Sequence, residues 1–412
     1  LDVSLLAAPE LPAEVGLEAP EYIRRLAAVE EPIALESFIR AALLFSDTPE
    51  SELPAFELKL ESLVGKMRDR LAPGAGPRQQ AEGALAFMHE EILNRYDEKQ
   101  TRLDLLIEGG QFNCVSSGVL YAILVKALGQ KVWGVRTADH AFCRVDTGEG
   151  VFDVETTSPF GFDPGKRQQF TDNFGRVTGY TYVPPSNYRD RRDIGERELL
   201  ALILFNRTAF LSELRSYAQA VSPAVDAYAL LGNGESYDRM ITAVHNLASW
   251  YGMSGRFEQA LSVLSAAARA YPDGRLESLR GDLIHNWVLS LVQRGALEEA
   301  EALVDSRLRE GELDPGQWRS LTVYIYQLKA QAAGRGDFAQ AAGIIAEGLK
   351  KVGPDQGLMK SYEAYVHNAV VTLVRAERLQ EALGVLEEAL SRAPESTVLR
   401  DDQSKILEQL GG

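Results

Sequence analysis

The sequence predicts a two-part molecule: an α+β domain over residues 1–157 and an all-α repeat solenoid over 198–412, joined by a connector at 158–197. Three observations carry that prediction. Apolar residues recur at three- and four-residue spacing between about 19 and 96, which is the helical period. Runs of β-branched and aromatic residues follow between 131 and 157. After 197, small residues return at a nearly constant interval, the signature of stacked repeats. A chain of 412 residues is in any case too long for one ordinary core.

The first helices are written in "EYIRRLAAVEEPIALESFIRAALLF", interrupted at Pro32, and in "FELKLESLVGKMRDRL" and "RQQAEGALAFMHEEILNRY". The breaker "APGAGP" separates the last two. "GGQFNCVSSGVLYAILVKALG" at 109–129 then predicts a helix from 114 to 128 that is too apolar to lie on a surface. Gly129 suits the left-handed position just past its end. "KVWGVRT", "AFCRV" and "VFDVETT" read as strands, the last two joined by "DTGEG" into an antiparallel hairpin. The connector has no clean period and is rich in Gly, Pro, Phe and Tyr; its aromatics favour an ordered strap packed against something.

Composition narrows the function classes. Hydrophobic residues make up 45% and charged residues 25%, which describes a globular protein with ample core material. A net charge of −16 argues against a nucleic-acid partner, because phosphate binding needs a basic surface. Two cysteines, Cys114 and Cys143, cannot build a disulfide framework. No apolar run approaches the roughly 18 residues of a membrane span. Few cysteines and a first residue that is not Met lean toward an exported or periplasmic protein over a cytoplasmic one, and leave the compartment open.

Four C-terminal segments align on Ala260, Ala300, Ala341 and Ala382, spaced by 40, 41 and 41 residues. The turn glycines Gly255, Gly295 and Gly336 keep the same step, with Glu377 in the fourth place, and a weaker copy surrounds Ala220. These five segments resemble tetratricopeptide repeats, with a period longer than the usual 34. Such helix pairs cannot bury their apolar faces alone and stack into a solenoid with a concave face. His245, His285 and His367 share one repeat position, each followed by Asn, and the column continues as Asn206, Asn246, Asn286, Gln327 and Asn368. The resemblance implies that this column faces a groove and meets an extended peptide, a task suited to amides that both donate and accept. The competing reading is that these side chains stitch neighbouring repeats together. The carboxylate clamp of some such domains is not supported, because Thr242, Asp282, Val323 and Ala364 stand where Lys or Arg would be needed.

Chemistry concentrates around Cys114. If Asn113 caps the helix, Cys114 lies in its first turn, where unpaired N–H groups and the helix dipole favour a thiolate. His140 stands at the start of a strand in "DHAF", and Asp153 and Glu155 lie on the returning strand. A thiol nucleophile needs a base, and the base needs an acceptor that orients it. With a four-residue loop at 146–149, Val145 pairs with Gly150 and His140 falls opposite Glu155. That register favours Glu155, with Asp153 as the alternative. Gln111 and Asn113 are candidate oxyanion donors beside the backbone N–H of Cys114. Cys143 projects from the opposite strand face to His140 and reads as structural, as does His89. Ligand spacing for a structural metal is absent, so no metal and no cofactor is expected.

The run from Cys114 to Thr157 resembles the transglutaminase-like cysteine-hydrolase superfamily, whose papain-like domain opens a buried helix with Cys. There a strand starts with His in an "HAW"-like context, and an acid precedes a Thr by two residues. Here these are Cys114, His140 in "HAF", and Glu155 with Thr157 in "ETT"; Glu replaces the usual Asp, and Phe142 the common Trp. The run is also similar to a bacterial subgroup that joins such a domain to tetratricopeptide-type repeats. The resemblance implies an amidase, peptidase or acyl-transferase with a Cys–His–acid triad, its repeats recruiting a protein or peptide. The alternative is a protein–protein interaction scaffold with a catalytically silent domain of the same type.

Overall fold

The structure, a computed structural model, describes residues 15–137, 140–165, 168–179 and 191–411. Parts of the expected N-terminal region and connector, at 1–14, 138–139, 166–167 and 180–190, lie outside the described residues, as does residue 412. The chain divides into two compact units, residues 1–247 and 248–412.

The first unit holds α1 (Glu21–Ala27), α2 (Leu35–Phe45), α3 (Leu53–Arg70), α4 (Pro77–Glu91), β1 (Arg95–Tyr96), α5 (Leu103–Gly109), β2 (Gln111–Phe112) and α6 (Cys114–Ala127). It continues with β3 (Lys131–Arg136), β4 (Ala141–Asp146), β5 (Val151–Val154), α7 (Gln168–Thr178), β6 (Arg192–Ile194), α8 (Glu196–Glu213), α9 (Tyr217–Leu231) and most of α10 (Gly234–Met253). The second holds α11 (Phe257–Ala270), α12 (Gly274–Gln293), α13 (Leu297–Arg309), α14 (Pro315–Ala333), α15 (Phe338–Val352), α16 (Gln356–Arg375), α17 (Leu379–Arg392) and α18 (Thr397–Gly411).

The expected α+β, papain-like class for the N-terminal part is not what forms. Among the described residues there are eighteen helices and six short strands, so the chain is predominantly helical. The β-rich texture after residue 130 produces a small four-stranded antiparallel sheet in the order β5-β4-β3-β6. "VFDVETT" leaves the ladder at Val154, because the next amide, of Glu155, turns to the carbonyl of Gly161 at 2.8 Å. Strand-forming side chains gave a local preference; how many strands pair was decided by where the backbone found other partners.

Helix α6 is the centre of the first unit. Every residue from Val115 to Val125 is buried, as expected of a helix that is apolar all round. It packs on α2, α3, α4, α5 and α8 and on strands β3 and β4. Each fully buried Leu or Ile, such as Leu120, Ile123 and Leu124, contributes about 1.5–3 kcal/mol relative to exposure. At its far end the Lys126 ammonium is buried against Glu196, which opens α8, and Glu196 also accepts the Ile33 N–H at 2.6 Å. One buried ion pair thus fastens the central helix to α8 and to the segment before α2.

In the sheet, Arg144 faces Asp153 and Asp146 faces Val151, two residues displaced from the register expected on a loop at 146–149. The turn occupies 147–150 instead. Thr147 donates its backbone N–H to the Gly150 carbonyl at 3.1 Å, and Gly148 takes a φ of 75° while its N–H meets the Asp146 carboxylate. The position that tolerates φ > 0 therefore fixed the loop.

The second unit is built of antiparallel helix pairs in which each helix contacts its successor, and α12, α14, α16 and α18 also contact one another in series. That nearest-neighbour pattern is the packing of a solenoid. Ala260, Ala300, Ala341 and Ala382 are completely buried, where a larger side chain would force the paired helices apart. Arg215, Gly255, Gly295 and Glu377 each adopt φ between 58° and 75°. The following amides, of Ser216, Arg256, Ala296 and Arg378, reach back five residues to carbonyls of the preceding helix, the Schellman closure of a helix end. Gly336 does not follow this pattern. Its turn is one residue longer, and α15 is capped by the side chain of Asp337, which accepts from Ala339 and Gln340.

The Lys126–Glu196 pair gives a stability test. Lys126→Met leaves a buried carboxylate without its cation and is expected to lower the urea-unfolding free energy by about 3–5 kcal/mol. Adding Glu196→Gln should recover most of that loss, and an unaffected single variant would contradict the role assigned to the pair.

Candidate active site

The buried helix begins where the cysteine is. Asn113 is its N-cap: its side-chain oxygen accepts the N–H groups of Val115 and Ser116, both at 3.0 Å, while Ser116 Oγ accepts the Asn113 N–H. This reciprocal box places Cys114 at the first helical position, half-buried, with the thiol free of any disulfide. Among the described residues the Cys114 backbone N–H makes no hydrogen bond. It is one of the orphan donors of a helix start.

His140 reaches the thiol from the sheet. The tight β3–β4 connection is closed by Thr137, whose N–H donates to the His140 carbonyl at 2.9 Å and whose hydroxyl accepts the His140 N–H. The imidazole Nε2 lies 2.6 Å from Glu155 Oε2, and the Cys114 side chain is near enough to the ring to act on its charge. With Nε2 taken by the carboxylate, Nδ1 is the ring nitrogen left for the thiol. Phe142 stacks at 6.3 Å and Phe174 of α7 meets the ring edge-on at 5.7 Å. Burial opposes charge on this imidazole, but the Glu155 carboxylate and the Cys114 thiol together hold its pKa well above the ordinary histidine range.

Glu155 is the carboxylate that meets His140, and Asp153 is not. Glu155 is buried, and its second oxygen accepts the Thr157 hydroxyl at 2.8 Å and the Thr157 N–H at 3.3 Å. Asp153 belongs to a separate salt-bridge cluster: Arg191 grips both of its oxygens, and Arg144 Nε donates at 2.9 Å. Burial works against ionisation there, and the two guanidinium groups still keep that carboxyl below its usual range. The displaced register puts His140 and Glu155 out of direct opposition. They meet because Glu155 has left the strand and turned back over it.

That turn is held from several sides. Thr156 Oγ1 pairs with Ser117 Oγ of α6 at 2.8 Å, and Ser117 donates in turn to the Asn113 carbonyl. His89 of α4 contacts the Thr156 carbonyl through Nε2 at 3.1 Å. Ser158 Oγ donates to Asn173 of α7 at 2.7 Å. A side chain at Gly161 would place its first carbon 1.9 Å from the Glu155 carbonyl, so only glycine fits there. None of Ser117, Thr156, Asn173 or Phe174 carries a motif. For Asn173 and Phe174 the one signal in the sequence was the aromatic content of the connector, part of which forms α7.

The remaining candidates separate. Asn113 caps the helix through its side-chain oxygen, and its amide nitrogen donates one of its two N–H groups to the Glu98 carbonyl at 2.9 Å. Gln111 sits half-buried on β2, three residues before the cysteine, and its side-chain amide has no hydrogen bond among the described residues. Cys143 is fully buried with its thiol on the Gly118 carbonyl, and burial pushes that thiol up. In the repeat column, Asn206 donates to Thr101 at 3.2 Å and His367 Nδ1 is 2.6 Å from Asp402 of α18. Those two stitch elements together and do not point to a ligand. Asn246 lines a groove of about 540 Å³ between α8 and α10 with Thr208, Ser212, Glu235, Arg239 and Thr242. His245, His285, Asn286 and Asn368 are exposed, and Gln327 is half-buried.

No protein-family model matches the chain, and no curated protein matches it significantly. Among the described residues no helix is long and apolar enough to cross a membrane.

Two outcomes follow from this geometry. Glu155→Gln is expected to slow alkylation of Cys114 by iodoacetamide at pH 6.5 by ~10-fold or more, since it removes the charge that orients the imidazole. Asp153→Asn should leave that rate within about twofold, because the residue acts in a separate cluster. The second outcome concerns acid stability. Burial pushes His89 down to about 4, while the unfolded side chain titrates near 6.5. Between those values the unfolded state binds the extra proton, so stability falls as pH drops from about 6.5 to about 4, by on the order of 3 kcal/mol. Urea unfolding at pH 7 and 4.5 should show a smaller loss in His89→Gln than in the parent.

Proposed function

We propose that the chain is a thiol enzyme of transglutaminase-like type, acting as an amidase, peptidase or acyl-transferase on a protein or peptide. The observation that carries the proposal is one imidazole between a helix-start thiol and a buried carboxylate 2.6 Å away. In the proposed reaction Cys114 Sγ adds to an amide carbonyl carbon. In this proposal the oxyanion so formed accepts hydrogen bonds from the Cys114 N–H and from the Gln111 amide three residues earlier, two donors that have no partner among the described residues. His140 gives its proton to the departing amine as the carbonyl re-forms, leaving a thioester on Cys114. Water or an amine then attacks the thioester, His140 takes the incoming proton, and Cys114 leaves as the thiolate beside the imidazolium, as at the start. Glu155 keeps the imidazole in place and balances its positive charge throughout.

The raised pKa of His140 supports a resting imidazolium near neutral pH, and an imidazolium beside a thiol favours the thiolate. The groove at Asn246 supports recruitment of an extended segment: each lining hydroxyl of Thr208, Ser212 and Thr242 already donates to its own helix and so offers an acceptor. The test is the pH dependence of iodoacetamide labelling at Cys114. Labelling is expected to remain fast below pH 7 and to slow ~10-fold or more in His140→Ala, which takes away the cation that favours the thiolate. A parent protein labelled only at alkaline pH, with no change in His140→Ala, would move the assignment to a silent scaffold. Trapping with Cys114→Ala then identifies the substrate.

A further inference from the structure

We infer that His89 is a positioning residue for the acid of the site, acting through the backbone of Thr156 and not on any reacting atom. Sequence alone places His89 among the helical residues of α4 with no role beyond packing. In the structure its Nε2 lies 3.1 Å from the Thr156 carbonyl, in the middle of the three-residue turn that carries Glu155 and Thr157. A carbonyl only accepts, so Nε2 must carry a proton. A half-buried ring whose pKa is lowered to about 4 is neutral at pH 7, which fixes the tautomer with Nε2–H as the donor.

The same ring meets Phe112 edge-on, with centroids 6.1 Å apart. Phe112 is buried on β2 and precedes the cap residue Asn113. One side chain of α4 therefore buttresses both strands of chain that must meet at the thiol: the approach to Cys114 and the turn that presents Glu155. The charged group facing it across this turn is Glu155, whose carboxylate is turned toward His140 and Thr157. The other contacts of Thr156 do not replace the donor. Ser117 holds its hydroxyl, and rotation of the peptide about that anchor would still displace Glu155. Losing the His89 donor leaves a buried carbonyl unsatisfied, and the least costly relaxation is for the turn to lift away from α4, carrying the carboxylate off the imidazole.

This inference rests on the thiol-enzyme proposal, and the experiment separates the two. Iodoacetamide labelling of Cys114 is measured against pH in the parent, His89→Met and His89→Gln, with thermal unfolding of each. Methionine keeps apolar bulk beside Phe112 and has no donor; glutamine restores an N–H at similar reach. His89→Met is expected to label about tenfold more slowly at pH 6.5, the scale of a small geometric displacement at a reacting centre, with its profile moved to higher pH. His89→Gln should stay within about twofold of the parent. If the two folded variants label alike, the positioning role is overturned. It is equally overturned if His89→Met fails to fold, since the residue would then be holding the fold and not the acid. If the parent itself lacks fast labelling below pH 7, the thiol-enzyme proposal is what has failed.

Discussion

Everything at the site depends on how a fully buried helix begins. Helix α6 is apolar on every side and enclosed by helices and by a sheet face. Its first amides have no helical acceptors, and burial removes water as a substitute, so they must be satisfied by protein atoms. Asn113 satisfies two of them, and among the described residues the Cys114 N–H has no partner. The demands of burying the helix thus produce the features a thiol nucleophile needs: a fixed side chain, a spare donor, and the positive end of a dipole.

A second constraint acts on the acid. A strand ladder alone would set Glu155 by register, and the register here is two residues from the one that loop length suggested. The carboxylate nevertheless reaches His140, because after Val154 the backbone pairs with Gly161 and the chain folds over the strand end. The short turn is then gripped by Ser117, His89, Thr157 and Asn173. Several modest bonds, from three separate helices and from the turn itself, hold one carboxylate, so its position depends on tertiary packing and little on strand propensity. Asp153, two residues earlier, meets two arginines, which hold it in a separate cluster.

What was legible in the sequence was local or periodic. The cap at Asn113, the stop at Gly129 and the turns at Gly255 and Gly295 follow from side chains that act within a few residues of themselves. The buried alanines follow from a repeat that any spacing count finds. The cysteine, histidine and acid could be listed for the same reason: each sits at a recognisable element end. The α+β class failed because about twenty-five strand-like residues were weighed against their own neighbours. Those residues pair over only a short ladder, while α8 from beyond residue 195 joins the helices expected before residue 96 around α6. The histidine–asparagine column failed in part for a related reason. Asn206 and His367 occupy the right repeat position, but Thr101 and Asp402 stand within reach and claim them.

By itself, then, the sequence determined where helices start and stop, which residues repeat, and which thiol, imidazole and carboxyl groups were available, because those properties depend on backbone preference and chain spacing. Only the tertiary structure decided that Glu155 and not Asp153 meets His140, that the Asn113 amide reaches the Glu98 carbonyl, and that His89 touches the turn bearing Glu155. Those outcomes depend on which polar group a buried atom finds within about 3 Å, and partners at that distance come from segments tens of residues apart.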